Sequence, residues 1–150
     1  MYRNSGSPAD SDFIGKLSFT GRNDNSQDVT YAELGVKILD ASDGSEDGRF
    51  ELYTVLAGTE GISRIRANST ELVINEDSKD LDFRVESDGN ANMLFVDGGT
   101  NRVGINDSSP SYTLDVDGDI NFTGTLREDG SEFSGGISTG KAIAMAMVFG

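Results

Sequence analysis

The sequence predicts an all-β protein of short strands joined by tight turns. Apolar and polar residues alternate in run after run, which is the period of a half-buried strand. The breaks between runs consist almost entirely of Gly, Asp, Asn, Ser and Pro, the residues that favour turns. No helix is strongly indicated before residue 140. Short strands at close spacing are typical of a sandwich, a barrel or a β-structured shaft.

The N-terminal region, 13–80, contains five predicted strands. A polar lead-in at 1–12 precedes it and is expected to be flexible or dependent on a partner. For the second strand an amphipathic helix is the competing interpretation, which its β-branched residues and central Gly35 disfavour. The predicted strands are Phe13–Thr20, Val29–Leu39, Phe50–Leu56, Ile62–Ala67 and Leu72–Ile74.

The central region, 81–127, shows the clearest alternation in the chain. It begins with Leu81–Glu86, in which three apolar residues point one way and charged residues point the other. Further short apolar runs follow around Phe95, Val103 and Leu114, and each ends at turn residues. The pattern predicts a series of short half-buried strands.

The C-terminal segment, 128–150, is a Gly- and Ser-rich joint followed by a continuous apolar run at 142–149. Large and small residues alternate in that run, which suits a strand or a helix equally. Burial among neighbouring subunits is favoured over docking onto a different protein. The stretch Gly135–Lys141 has the spacing of a phosphate-binding loop, but Ala142 replaces the required Ser or Thr, so nucleotide binding is disfavoured.

Two blocks of the sequence carry a resemblance to a known family. One runs from Val103-Gly104-Ile105 through Ser109-Pro110 to Leu114-Asp115-Val116 and Gly118. The other includes Ser7-Pro8-Ala9-Asp10 and the acidic segment 43–48. Both resemble blocks of the tail-fibre and related virion fibre proteins of tailed bacteriophages. The resemblance implies a homotrimeric, intertwined β-structured fibre or spike on the virion exterior, made in the host cytoplasm.

Composition also favours association with further copies of the chain. Only 35% of the residues are hydrophobic, so a single chain has difficulty forming a large hydrophobic core of its own. Burial of apolar surface against further copies would supply one. Together with the resemblance, this predicts an oligomer core formed by Leu81, Phe83, Val85, Phe95, Val103, Ile105, Leu114, Val116, Ile120, Phe122, Ile143, Met145, Met147 and Phe149.

Charge and absent residue types exclude several functions. The formal net charge of −14 disfavours binding to nucleic acid or an anionic membrane. The chain has no Cys and no His, which excludes thiolate nucleophiles, Cys-type zinc sites and Ser–His pairs. We therefore expect no enzyme activity and no cofactor. The N-terminus lacks the apolar run of a signal peptide, and no run is long enough to span a bilayer.

The acidic loops raise the question of a bound cation. Asp115, Asp117 and Asp119 have the spacing of the first EF-hand ligands, but Ile120 and Leu126 occupy positions that require Gly and Glu. The remaining candidates for a hard cation are Asp40, Asp43, Glu46 and Asp47. Clusters of this kind are more often solvated turns than metal sites.

The predicted function is a non-enzymatic fibre or spike subunit that contributes to host-surface attachment. Its expected partners are itself, other virion proteins and a host-surface glycan or protein. The alternative is a capsid-decorating, connector or trimerisation protein without a receptor. A polysaccharide depolymerase spike is more remote, since carboxylate pairs alone discriminate little and Trp is absent. Candidate contact loops are Gly21–Asp28, Asp40–Gly48 and Asp88–Asn92.

Overall fold

The computed structural model describes residues 5–133 and confirms an all-β chain in open sheets. Those residues contain no helix, and therefore none that could cross a membrane. The chain divides into two compact units, Met1–Asp117 and Gly118–Gly150. The first unit holds a five-stranded and a four-stranded sheet, and the second holds a two-stranded hairpin.

The five-stranded sheet is an antiparallel meander in which each strand pairs with the next in sequence. The predicted strands are confirmed, with ends that differ by up to three residues, and the helix interpretation of the second is wrong. At its centre Gly35 leaves room for two aromatic rings, since a Cβ there would lie 3.2 Å from Phe13 and 3.4 Å from Tyr53. The strands are β1 Phe13–Arg22, β2 Asp28–Asp40, β3 Asp47–Leu56, β4 Thr59–Ala67 and β5 Leu72–Ile74.

Local turn chemistry fixes the register of this meander. Ala57 and Gly58 form the two-residue loop between β3 and β4, and both have positive φ, 47° and 81°. This is the turn that matches the twist of a hairpin. The Asn68 side chain accepts hydrogen bonds from the backbone N–H groups of Thr70 and Glu71, which closes the turn between β4 and β5.

The predicted lead-in is attached to the end of β2. The backbone N–H of Ser11 donates to the Ile38 carbonyl at 2.9 Å, and the Ile38 N–H donates to the Asp12 carbonyl at 2.9 Å. The Asp10 carboxylate accepts from the Ala41 N–H at 3.0 Å. The residues just before β1 are therefore held by hydrogen bonds within the chain.

The four-stranded sheet joins three antiparallel strands to a fourth that runs parallel to its neighbour. Only the eight residues 106–113 connect the parallel pair, although such crossovers usually need a dozen residues or more. The strands are β6 Phe83–Val85, β7 Leu94–Asp97, β8 Arg102–Ile105 and β9 Leu114–Val116.

The described part of the second unit contains one short hairpin, β10 Arg127–Glu128 and β11 Ser131–Glu132. Asp129 and Gly130 form its turn, with φ values of 50° and 80°. Ile120 and Phe122 lie outside the strands and are exposed. Alternation predicted them in a strand, but no described strand pairs with that segment.

A single copy buries few of its large apolar side chains. Within residues 5–133, only Ile62 and Phe95 are buried, each 7% exposed, whereas eighteen large apolar side chains are exposed. A stable domain normally covers such groups, because their burial is the main favourable term in folding. The strands are formed, but many of their large apolar side chains stay exposed among residues 5–133.

Candidate interaction surface

One face of the five-stranded sheet is apolar across all its strands. Residues directly opposite in a ladder share a face, so the register defines rows of side chains across the sheet. Thr54 is the one polar side chain in these rows, and none is charged. The rows are Leu17, Leu34, Leu52, Ile65 and Ile74; Gly15, Val36, Phe50, Ala67 and Leu72; and Phe19, Ala32, Thr54 and Ile62.

This apolar face, defined by the three rows, is largely open to solvent in one copy, although Ile62 at the end of the third row is buried. Leu17 and Phe19 are each 53% exposed and Leu72 is 69% exposed. Phe50 and Val36 in the middle row are exposed as well. A contiguous apolar surface exposed on a β-sheet is typical of an interaction site.

The opposite face of the same sheet carries a buried carboxylate. Glu51, in the middle of β3, is 2% exposed. Its Oε1 lies 2.7 Å from Arg66 Nη2, its Oε2 lies 3.0 Å from Arg49 Nε, and the Tyr53 hydroxyl donates to it. Two guanidinium groups and a phenol therefore satisfy this charge within one chain.

The turn after β5 covers this cluster. Asn75 clamps the turn, because its side chain accepts from the Lys79 N–H at 2.9 Å and donates to the Lys79 carbonyl at 2.7 Å. Glu76 then pairs with Arg66, and the Asp77 carboxylate accepts from the Ser63 N–H at 2.7 Å. The polar face is thereby closed by residues that follow it in the sequence.

The Glu51 cluster makes the free energy of unfolding depend on pH in two ranges, one acidic and one alkaline. Burial alone would raise the pKa of Glu51. The hydrogen bonds from Tyr53 and Arg66, together with the positive charge of Arg49, outweigh the effect of burial, so the pKa lies below its usual 4.5. Burial and the bond to Glu51 raise the pKa of Tyr53 from 10.0 to about 12. A depressed acid pKa stabilises the fold above the unfolded value, and a raised one stabilises it below that value.

We therefore expect two losses of unfolding free energy. The contribution of Glu51 is lost as pH falls below about 4.5, and that of Tyr53 as pH rises from about 10 to about 12. Urea titrations across pH, on the natural chain and on Tyr53→Phe, measure this. The stability advantage of the natural chain over Tyr53→Phe should shrink above pH 10, and a constant difference would contradict the assignment.

The four-stranded sheet also has one apolar face. Phe83 pairs with Val96, Val96 with Val103, and Val103 with Leu114, which makes a row across all four strands. Leu114 is 60% exposed and Phe83 is 36% exposed. The adjacent row adds Val85 with Leu94 and Ile105 with Val116. This shaft face, defined by the two rows, is uncharged and largely open.

The other face of the four-stranded sheet is closed by the 106–113 loop. Gly104 receives the Asp107 carbonyl so closely that a Cβ would lie 2.2 Å from its oxygen. Arg102 Nη1 donates to the Pro110 carbonyl at 2.7 Å, and Asp115 accepts from the Ser111 N–H at 2.8 Å. Gly104, Pro110 and Asp115, which belong to the first block of the fibre resemblance, thus help to fold this loop between parallel strands.

The apolar face and the shaft face meet at a hollow of about 390 Å³. Ile74 lines it from the five-stranded sheet, and Phe83 and Val96 line it from the four-stranded sheet. Leu81, in the connecting segment, lies between them with its backbone against Gly98, where a Cβ would be 2.4 Å from the Leu81 carbonyl oxygen. Asn75, Ser78, Asp97 and Asn101 also line the hollow, so apolar contact between the two sheets runs through Ile74, Leu81, Phe83 and Val96 alone.

Two of the four cation candidates, Asp40 and Glu46, accept hydrogen bonds from their own loop. Asp40 accepts from the Ser42 N–H at 2.8 Å and the Ser45 hydroxyl at 3.2 Å, and Glu46 accepts from the Gly44 N–H at 3.1 Å. The hydrogen bonds from Ser42 hold the pKa of Asp40 below its usual value. Asp40 and Asp47 are partners in the β2–β3 ladder. Neither Asp43 nor any other acidic residue within 5–133 belongs to a metal-binding group of three or more.

The residues of the predicted oligomer core fall into four groups. Exposed in one copy are Phe83, Val85, Ile105, Leu114, Ile120 and Phe122, whereas Leu81, Val103 and Val116 are half-buried. Phe95 is buried within the chain, because it pairs with Gly104 on the face that the loop covers. Ile143, Met145, Met147 and Phe149 lie outside the described residues.

The apolar face of the five-stranded sheet was missed as a candidate site. Its signal was present in the sequence, since Leu17 and Phe19, Leu34 and Val36, and Phe50 and Leu52 alternate in the predicted strands. Alternation alone leaves open whether such a face packs inside the chain or outside it. Only the pairing of all five strands shows that one copy leaves it uncovered.

Comparison of the chain with protein-family models, with curated proteins and with solved structures finds no match.

Proposed function

We propose that this chain is a non-enzymatic structural subunit of a homotrimeric fibre or spike on the exterior of a tailed-phage virion, where it contributes to host-surface attachment. The observation that carries the proposal is the exposed shaft face, built from Phe83, Val96, Val103 and Leu114. Two of these residues, Val103 and Leu114, lie in the block that resembles phage fibres. The threefold symmetry and the setting come from that resemblance.

Energetics support association through the shaft face. Fully burying a Leu, Val or Phe side chain contributes about 1.5–3 kcal/mol, and this face presents several such side chains in each copy. The outer edges of β6 and β9 have no pairing strand among residues 5–133. Unpaired strand edges favour pairing with other chains. Three copies wrapped around one axis would pair these edges and cover the apolar rows.

A single charge on the shaft face should prevent assembly. Leu114→Asp would place a carboxylate where copies meet, and desolvating an unpaired charge is costly. We expect light scattering to give the mass of one 16.0 kDa chain for this variant. Thr113→Asp is the matched control, since Thr113 is also exposed but lies outside the apolar rows. An unchanged mass for Leu114→Asp would exclude this face as the contact.

The virion setting is tested on particles. Antibodies raised against the purified chain and coupled to gold should label fibres or spikes on intact phage whose genome encodes this chain. Adsorption of the phage to host cells should fall when the same antibodies are bound. Label restricted to the interior of broken particles, or no label at all, would overturn the proposed location.

A further inference from the structure

We propose that the apolar face of the five-stranded sheet is a second contact between copies of this chain, separate from the shaft face. The inference rests on the homotrimer proposed above, and its occupant is another copy of the same chain. It assigns an interface to the sheet of residues 13–74, where the sequence predicted only the contact loops Gly21–Asp28 and Asp40–Gly48. Three aligned rows of side chains, led by Leu17, Val36 and Phe19, form the surface.

The extent of the face suits a protein partner. Phe19 and Phe50 are 53% and 43% exposed, which amounts to about 200 Å² of aromatic surface. Leu17, Val36, Leu72 and Ile74 are exposed beside them. Together the six side chains expose about 500 Å², and the half-buried Leu34, Leu52 and Ile65 extend the face toward the ~800 Å² that each partner contributes to a standard interface.

Charge indicates which partner fits. The chain carries a net charge of −14, so most approaches between two copies are repulsive. The three rows contain no charged residue, although Arg64 donates to the Thr54 hydroxyl at their border and Lys16 lies beside Leu17 and Val36. Copies can meet through this face without bringing like charges together, whereas a basic partner would be attracted to the acidic surfaces instead.

The opposite face of the sheet is a poor alternative. Glu51 is already buried with Arg49 and Arg66, and the 75–80 turn covers this cluster. Phe13 is likewise engaged, with the amino groups of Lys16 and Lys37 at 4.2 and 4.3 Å from its ring centre. The part of that face around β3 and β4 is thus closed by the chain itself, and the apolar face is left for a partner.

Continuity with the shaft face supports the same occupant. The row from Leu17 to Ile74 ends at the 390 Å³ hollow where Phe83 and Val96 begin the shaft rows. An apolar surface that runs from one sheet to the next is most simply covered by one kind of partner along its length. A copy that contacts the shaft face is therefore adjacent to the apolar face as well.

Single cysteines test the proposal cleanly, because the natural chain has none. Leu17→Cys places a thiol on the apolar face, and Ser18→Cys places one on the opposite face of the same strand. Both positions are exposed in one copy. In the assembled protein we expect Leu17→Cys to react with a maleimide about tenfold more slowly, relative to its own rate in urea, than Ser18→Cys does.

The outcomes separate this inference from the function it rests on. A trimeric mass with Leu17→Cys as reactive as Ser18→Cys overturns the second contact and leaves the homotrimer intact. A monomeric natural chain overturns both. Protection that appears only with added lipid vesicles, or only with virion proteins, also overturns it, since the occupant is then not another copy. If Leu17→Cys does not assemble, Leu72→Cys and the neighbouring Glu71→Cys replace the pair, with the same expectations.

Discussion

Glu51→Gln lowers the free energy of unfolding by about 3 kcal/mol, because it leaves two guanidinium groups without their shared anion. Glu51 is 2% exposed, and Arg49 and Arg66 are each about four-fifths buried beside it. Gln has nearly the same volume, so the loss reports charge and not packing. Arg66 keeps its second partner, Glu76, which limits the loss on that side.

Urea unfolding at a fixed chain concentration measures this loss, since the stability of an oligomer depends on concentration. The control is Glu86→Gln, which removes the same charge from an exposed pair. Arg84 and Glu86 lie 2.9 Å apart with side chains 47% and 53% exposed, so this variant should change stability by less than about 0.5 kcal/mol. Equal losses of unfolding free energy in the two variants would show that the buried Glu51 cluster stabilises the protein no more than an exposed ion pair does.

Gly104→Ala destabilises the four-stranded sheet by about 3 kcal/mol. Its Cβ would lie 2.2 Å from the Asp107 carbonyl oxygen and 3.1 Å from the carbonyl carbon. These atoms belong to backbone, so relief requires moving the 106–113 loop or separating β8 from β9. Either movement would disturb the shaft row at Val103 and Leu114, so we expect a loss of trimer as well.

The matched control is Gly89→Ala, in a loop of the same region. A Cβ at Gly89 meets no atom within 4 Å, and the variant should stay within about 0.5 kcal/mol of the natural chain. Unfolding in urea and light scattering on both variants provide the comparison. A Gly104→Ala protein with natural stability and mass would mean that the close approach at Asp107 is not a constraint on this fold.

Strand positions were predictable because the five-stranded meander is a local structure. Alternation located all five strands, and Leu72–Ile74 has the same bounds in sequence and structure. Gly35 argued against a helix for β2, and in the sheet it makes room for the Phe13 and Tyr53 rings. Consecutive antiparallel strands need only turn chemistry to find their partners, and Gly, Asn and Asp display that chemistry in the sequence.

Partner choice and burial were not predictable from periodicity. The parallel pairing of β8 with β9 depends on the tight loop at Asp107, which alternation does not register. Alternation in β3 predicts that Glu51 faces solvent, but the turn at Glu76 and Asp77 folds back over the ion-pair cluster of Glu51. Phe95 fits the apolar pattern of its run, but its partner Gly104 places it on the covered face. Each outcome depends on which segments contact one another in the fold, which the alternation within a single strand does not record.

The mass of the purified natural chain, measured by light scattering during size exclusion, tests the central claim most directly. The claim is that the exposed apolar faces of one copy are covered by two others. It predicts a mass three times that of the 16.0 kDa chain, stable on dilution, with a strand-dominated circular dichroism spectrum on the same sample. A folded monomer with that spectrum would contradict the claim, because both apolar faces would then remain in water.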